Sequence, residues 1–221
     1  MIGRERKVRE RLSEAIAAAR GEDDAVHAAR EQTVAQRNAE IELAKRVVAR
    51  DPDALFSALE EHSSLGDLPF AVEGIDTLFI DNRIVAIVDG LDVEDIPEES
   101  ASLLKSGKAS FKAIPLGKRH ELHRDALCSA AVRVALEFLT VLPLDFVEVL
   151  MLTDILDRAT GHINAAPVLH LSLSEQAAST INFERADGFA LVERLGGHMD
   201  WTKREGFRAI NAAAFGIELS N

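Results

Sequence analysis

Apolar residues recur at intervals of three and four through the first fifty positions, the period of one helix face. Over Arg4–Arg20 the stripe is Val8, Leu12, Ala15, Ile16 and Ala19; over residues 24–48 it is Val26, Ala29, Thr33, Arg37, Ile41, Ala44 and Val48. Gly21, between the two, can close a helix in the left-handed region, and Asp23 or Asp24 can cap the next. The pattern therefore predicts two helices, the second ending near Val48. A helix this polar on most sides cannot build a core of its own. It needs a partner along one narrow seam, as in a coiled coil, either its neighbour in a helical hairpin or another copy of the chain.

The pattern changes at Asp51-Pro52, where Asp can cap and Pro can take the first position of a short helix with Leu55, Phe56 and Leu59 on its apolar face. Thr77–Ile80 and Ile84–Val88, separated by Asp81-Asn82-Arg83, predict a β-hairpin. Ser106-Gly107-Lys108 reads as a turn and Ala109–Ile114 as a third strand. Lys118–Val141 predicts a long central helix, apolar nearly all round beyond Leu127, which should enclose Leu136. Leu142-Pro143-Leu144 stops it. Phe146–Leu156 and Val168–Leu173 are the clearest strands, joined through a turn at Thr160-Gly161-His162. A capping-box spacing from Ser172 to Glu175 opens a short helix. Asp187 opens another, closed at Gly196-Gly197, and Phe207–Ile210 is a final edge strand. This order implies an α+β fold: a mostly antiparallel sheet against a long central helix, preceded by an N-terminal helical arm or hairpin.

Composition sharpens that division into a 1–50 arm and a 51–221 domain. Residues 1–50 hold no Pro, Phe or Trp and carry 11 Lys+Arg against 9 Asp+Glu, while the remainder carries 14 against 28. An acidic body attached to a nearly neutral arm argues against nucleic-acid partners, since phosphates are repelled on average. The single cysteine, Cys128, excludes an internal disulfide and fits a reducing, cytoplasmic setting. The charged N-terminus lacks the apolar stretch of a secretory signal. Ala126–Leu144, the most apolar run, is interrupted by Arg133 and Glu137, which fits a core helix rather than a membrane span.

Several constellations invite chemical readings. His120-Glu121-Leu122-His123 places imidazoles three apart, whereas the zinc-protease pattern needs them four apart; flanked by Lys118, Arg119 and Arg124, they read as solvated residues of a first helical turn. Asp154, Asp157, His162 and His170 gather around one predicted hairpin and could bind a divalent ion or do acid–base work. Against this, antiparallel sheets can leave one face in water, where Glu148, Asp154 and His170 would fall. The Glu5-Arg6-Lys7 triplet resembles a nuclease metal motif but lies on a helix instead of a strand. Cys128 reads as a buried small hydrophobe. Arg4, Arg6, Lys7, Arg9 and Arg11 form a mixed-charge patch with Glu5 and Glu10, and Trp201 with Lys203, Arg204 and Phe207 could stack a base. The six acidic residues of Asp89–Glu99 read as a solvated loop. No phosphate-binding glycine loop or nucleophile elbow is present, and no cofactor or metal is assigned.

Ser106-Gly107-Lys108-Ala109-Ser110-Phe111-Lys112, Leu142-Pro143-Leu144, Thr160-Gly161-His162 and Met199-Asp200-Trp201-Thr202-Lys203-Arg204-Glu205-Gly206-Phe207 are short motifs. Through them, residues 105–210 resemble a bacterial family of uncharacterised proteins with a domain of unknown function. Its members carry a preceding Arg/Glu/Ala-rich helical segment, so the resemblance implies the same division of the chain and no activity. The expected function is that of a non-enzymatic, cytoplasmic protein that self-associates through its N-terminal helices or binds a partner. The rival reading is a metal-dependent hydrolase or nuclease built on the acidic/His hairpin.

Overall fold

The computed structural model describes residues 2–67, 72–80, 83–157 and 159–219, with side chains from Arg9 onward. It divides into two compact units at Ala54/Leu55.

The first unit is dominated by α1, a single 47-residue helix over Ile2–Val48. The break expected at Gly21 does not form. A mid-helix glycine costs about 1 kcal/mol relative to Ala, and the flanking Ala-, Glu- and Arg-rich turns outweigh that cost. Asp23 and Asp24 accordingly lie inside the helix rather than capping a second one. Past the end of α1 at Val48, Arg50 adopts the left-handed region at φ +58°. Asp51 then caps α2 (Pro52–His62), its Oδ1 accepting from the Ala54 amide at 3.0 Å. That hydrogen bond and the Arg46 guanidinium at 2.9 Å hold the Asp51 carboxyl below its ordinary pKa.

The second unit is built on a six-stranded sheet of order β1-β2-β5-β6-β7-β8. Its strands are β1 (Val72–Ile80), β2 (Arg83–Gly90), β5 (Phe146–Leu156), β6 (Ile163–Ser174), β7 (His198–Thr202) and β8 (Gly206–Arg208). All neighbours are antiparallel except β2 and β5, which run parallel with Val85 opposite Glu148. The β1–β2 hairpin forms as the β-branched runs predict, although its turn residues Asp81-Asn82 lie outside the described residues. A parallel pair requires a crossover. Here it carries a 3₁₀ turn, a separate ribbon of β3 (Glu99–Leu103) and β4 (Ala109–Ala113), and the long helix α3 (Leu116–Val141). Gly107, at φ +78°, makes the ribbon's turn. The third predicted strand is therefore real but pairs with β3 away from the main sheet.

α3 covers one sheet face. Its Leu127, Ala131, Val134, Ala135 and Phe138 are fully buried, as are Val147, Val149 and Met151 of β5 and Leu169, Leu171 and Leu173 of β6. The fit is tight at Gly90, where a Cβ would meet Leu127 Cδ2 at 2.5 Å. Leu136 is only half-buried; the enclosed bulky residue of that turn is Phe138. The opposite sheet face, expected to be partly solvated, is covered by the C-terminal stretch: Ile210, Ala212 and Ile217 pack on Val85 and Leu150. Two short helices complete the unit. In α4 (Glu175–Ala178) the cap is Ser174 rather than Ser172, and Asp187 caps α5 (Gly188–Arg194). Among the described residues no helix is long and apolar enough to cross a membrane.

Candidate functional site

Two surfaces concentrate the chain's unexplained chemistry, one on each unit. On α1 the helical spacing leaves Leu12, Ile16, Val26, Val34 and Ile41 between 45% and 59% exposed. Shallow apolar hollows lie at Val26, Ala29, Thr33 and Val34, and again at Ile41, Ala44 and Val48. Ala15, Val26, Arg37 and Val48 recur every eleven residues, or 3.67 per turn, so the seam stays on one side of a nearly straight helix. Polar residues beside it pair within the chain: His27 with Glu31 at 3.5 Å and Lys45 with Glu42 at 2.7 Å. Arg9 and Arg11 are exposed; the side chains of Arg4, Arg6 and Lys7 lie outside those described. The Glu5-Arg6-Lys7 triplet is helical, as its sequence context predicts.

On the second unit, the first turns of α3 open onto a cleft of about 400 Å³ that also takes in Thr153, Asp154, Glu205 and Arg208. His120 and His123 line it, and they are buried rather than solvated, at 6% and 4% exposure. The sequence suggested surface residues because both lie among charged neighbours, but β8 and the 91–95 segment close over that helix face. Each ring is held by a backbone carbonyl, His120 Nδ1 to Lys203 O at 3.1 Å and His123 Nε2 to Leu91 O at 2.8 Å. A carbonyl only accepts, so these nitrogens carry protons. Phe207 meets the His123 ring edge-on at 5.4 Å. Glu121 points elsewhere, paired with Lys203 and Lys118, which lower its pKa.

Burial pushes the His123 pKa below 6.5, against the raising effects of the Leu91 hydrogen bond and of Asp92 and Glu94. The folded chain therefore binds this proton less readily than the unfolded chain. The stability associated with neutral His123 is complete above pH 6.5 and is lost as pH falls from there through the depressed value. Unfolding free energies from denaturation at pH 7.5 to 5.5 should fall through this group with a slope of at most about 1.4 kcal/mol per pH unit, the one-proton limit. His123→Gln, which keeps an N–H donor, should flatten that slope; an unchanged slope would assign it to other groups.

The four hairpin residues are not brought to one point. Asp154 lies opposite Ala165, whereas His170 lies opposite Leu150, five positions farther along β6. Asp157 is committed to its turn, accepting from Thr160 Oγ1 at 2.7 Å and the Ala159 amide at 2.8 Å, which lower its pKa. His162 is exposed in that turn. His170 instead stacks on Phe215 with centroids 4.0 Å apart and reaches Glu148 at 3.1 Å. Glu148 also receives Arg83 Nη1 on both oxygens, at 2.9 and 3.0 Å. Near the cleft, Asp92 Oδ1 accepts from Thr153 Oγ1 and the Asp154 amide, both at 2.7 Å. Burial, followed by the charges of Asp92 and Asp154, raises the Asp89 pKa. Among the described residues, no three His, Cys, Asp or Glu side chains are grouped to hold a metal ion.

The remaining motifs find structural roles. Burial pushes the Cys128 thiol up to about 12, so it is an inert core residue. Trp201 does not present a stacking face: Arg124 lies over its ring at 4.4 Å and over Phe189 at 3.7 Å, and Phe207 is buried. The acidic segment after β2 is tied down by Arg119, which donates to Val93 O and Ile96 O at 2.9 and 3.1 Å. The Arg83–Glu148–His170 network was missed in sequence. Its one signal was Glu148, a lone carboxylate inside the apolar run of β5.

The chain matches no family model, no curated protein and no solved structure.

Proposed function

We propose that this chain is a non-enzymatic, self-associating protein in which α1 pairs with α1 of a second copy. The observation that carries the reading is the apolar seam on a 47-residue helix, with Val26, Val34 and Ile41 about half exposed. Apolar side chains at three–four spacing gain burial when a second helix interdigitates with them. The seam suits a second copy because residues 1–50 are nearly charge-balanced, 11 basic against 9 acidic, so the arms do not repel as whole segments. The single buried cysteine supports a reducing, cytoplasmic setting. The resemblance of residues 105–210 to an uncharacterised bacterial family agrees with an arm-plus-body design and adds no reaction. The hydrolase alternative loses its main support, since its four residues are spread along the β5–β6 hairpin and its turn.

Light scattering and sedimentation of the full chain test the reading. The native chain should have at least twice the monomer mass at micromolar concentration. Val26→Glu/Ile41→Glu should be monomeric, because each seam would then bury two uncompensated carboxylates per copy. The body's unfolding midpoint should not change. A native chain that stays monomeric at all concentrations would sink the proposal.

A further inference from the structure

We infer that the two α1 helices of the self-associated protein run antiparallel, crossing near residue 25; this rests on the pairing proposed above. Three charge features of the arm favour that orientation over a parallel pair.

The first is the block pattern. Residues 4–11 hold five basic and two acidic side chains, while Glu22, Asp23 and Asp24 form an acidic block. A parallel pair in register sets basic block beside basic block and acidic block beside acidic block. An antiparallel pair overlapping along all of Ile2–Val48 is centred on residue 25, so position i lies near 50 − i. Residues 4–11 then lie beside 39–46, which hold Glu40 and Glu42 with Lys45 and Arg46 and have no net charge. The acidic block at Glu22–Asp24 stays close to the crossing in either orientation, so the discrimination comes from the basic block alone. Like charges held at short range are destabilising, and opposite or neutral neighbours are not.

The second is on the seam itself. Arg37 occupies a position that the eleven-residue period places among Ala15, Val26 and Val48. In a parallel pair it meets Arg37 of the other copy across a desolvated seam. In the antiparallel pair it lies near residue 13, among the balanced charges of Arg9, Glu10, Arg11 and Glu14, and does not face its own copy.

The third follows from connectivity. Residues 51–221 carry 14 basic against 28 acidic residues and follow the C-terminal end of each α1. A parallel pair starts both acidic portions from the same end. An antiparallel pair starts them from opposite ends of a helix about 70 Å long at 1.5 Å per residue, against a screening length of about 10 Å at 0.1 M salt.

Spin labels on introduced cysteines of the full chain read the orientation directly. Cys128 is fully buried with its thiol pushed up to about 12, so the introduced sites take the label. Ser13→Cys should give an interchain distance of about 35 Å, from 24 intervening helical residues at 1.5 Å each. Ala25→Cys should give about 10 Å, the spacing of packed helix axes. Short distances at both sites would establish a parallel pair and overturn the inference while leaving self-association standing. A long distance at Ala25 would place the crossing elsewhere and equally overturn it. No interchain coupling at either site, with monomeric mass, would overturn the pairing proposal itself.

Discussion

Phe138→Ala should cost the second unit about 3–5 kcal/mol, the range for emptying a large aromatic from a closed core. Phe138 is fully buried near the end of α3, on the helix that covers the β5 and β6 face. The loss combines the transfer energy of the ring with a cavity that close-packed neighbours refill only in part. Against a typical total stability of about 5–15 kcal/mol, it would shift the denaturant midpoint severely. Leu136→Ala should cost clearly less, because that side chain is only half-buried. Val26→Ala, on a residue 51% exposed in α1, should leave the body's transition almost where it was. Comparable losses at Phe138 and Val26 would mean that the arm is energetically part of the body, contrary to the division at Ala54/Leu55.

The second large effect is expected at Arg83. Its guanidinium bridges both Glu148 oxygens and donates to Gly216 O at 3.0 Å, tying β2 and β5 to the C-terminal stretch. Arg83→Met removes the cation but leaves the Glu148 carboxylate 9% exposed. A buried charge that loses its cationic partner is strongly destabilising, by about 3 kcal/mol here, the lower end of the usual range because Arg83 is itself partly exposed and His170 still reaches Glu148 at 3.1 Å. Adding Glu148→Met should recover most of that loss, since two apolar side chains of similar volume avoid the desolvation penalty. Chemical denaturation of the single and double variants measures both numbers. If the second change adds to the damage instead, the network's value lies in more than its charge balance, and the His170–Phe215 stack becomes the place to look.

These two sites differ in how far they could be read from sequence. The period of α3 announced a buried helix, and the β-branched and apolar runs announced β2, β5 and β6. Asp51-Pro52 announced the start of α2 and Asp187 that of α5. All of these are local signals, written in side-chain spacing and capping chemistry within a few residues. Phe138 rather than Leu136 as the enclosed residue required the angular position of the sheet around α3, which spacing along a helix apolar on most sides does not specify. β3 and β7 are short and lack strong alternation, so their strand state comes from pairing with β4 and with β6 and β8.

The sequence by itself determined the α+β class, the long central helix, the principal strands and an arm with a narrow apolar seam. Those features follow from periodicity and composition, which act at short range. Only the structure showed that Gly21 is spanned by one continuous helix, because competing local preferences differ there by about 1 kcal/mol. It alone decided that His120 and His123 are buried on backbone carbonyls and that Glu148 pairs with Arg83, 65 residues away. It also decided that the second sheet face is covered by Ile210, Ala212 and Ile217. The last three depend on segments distant in sequence closing over one another, and burial of that kind leaves no mark in the spacing of neighbouring residues.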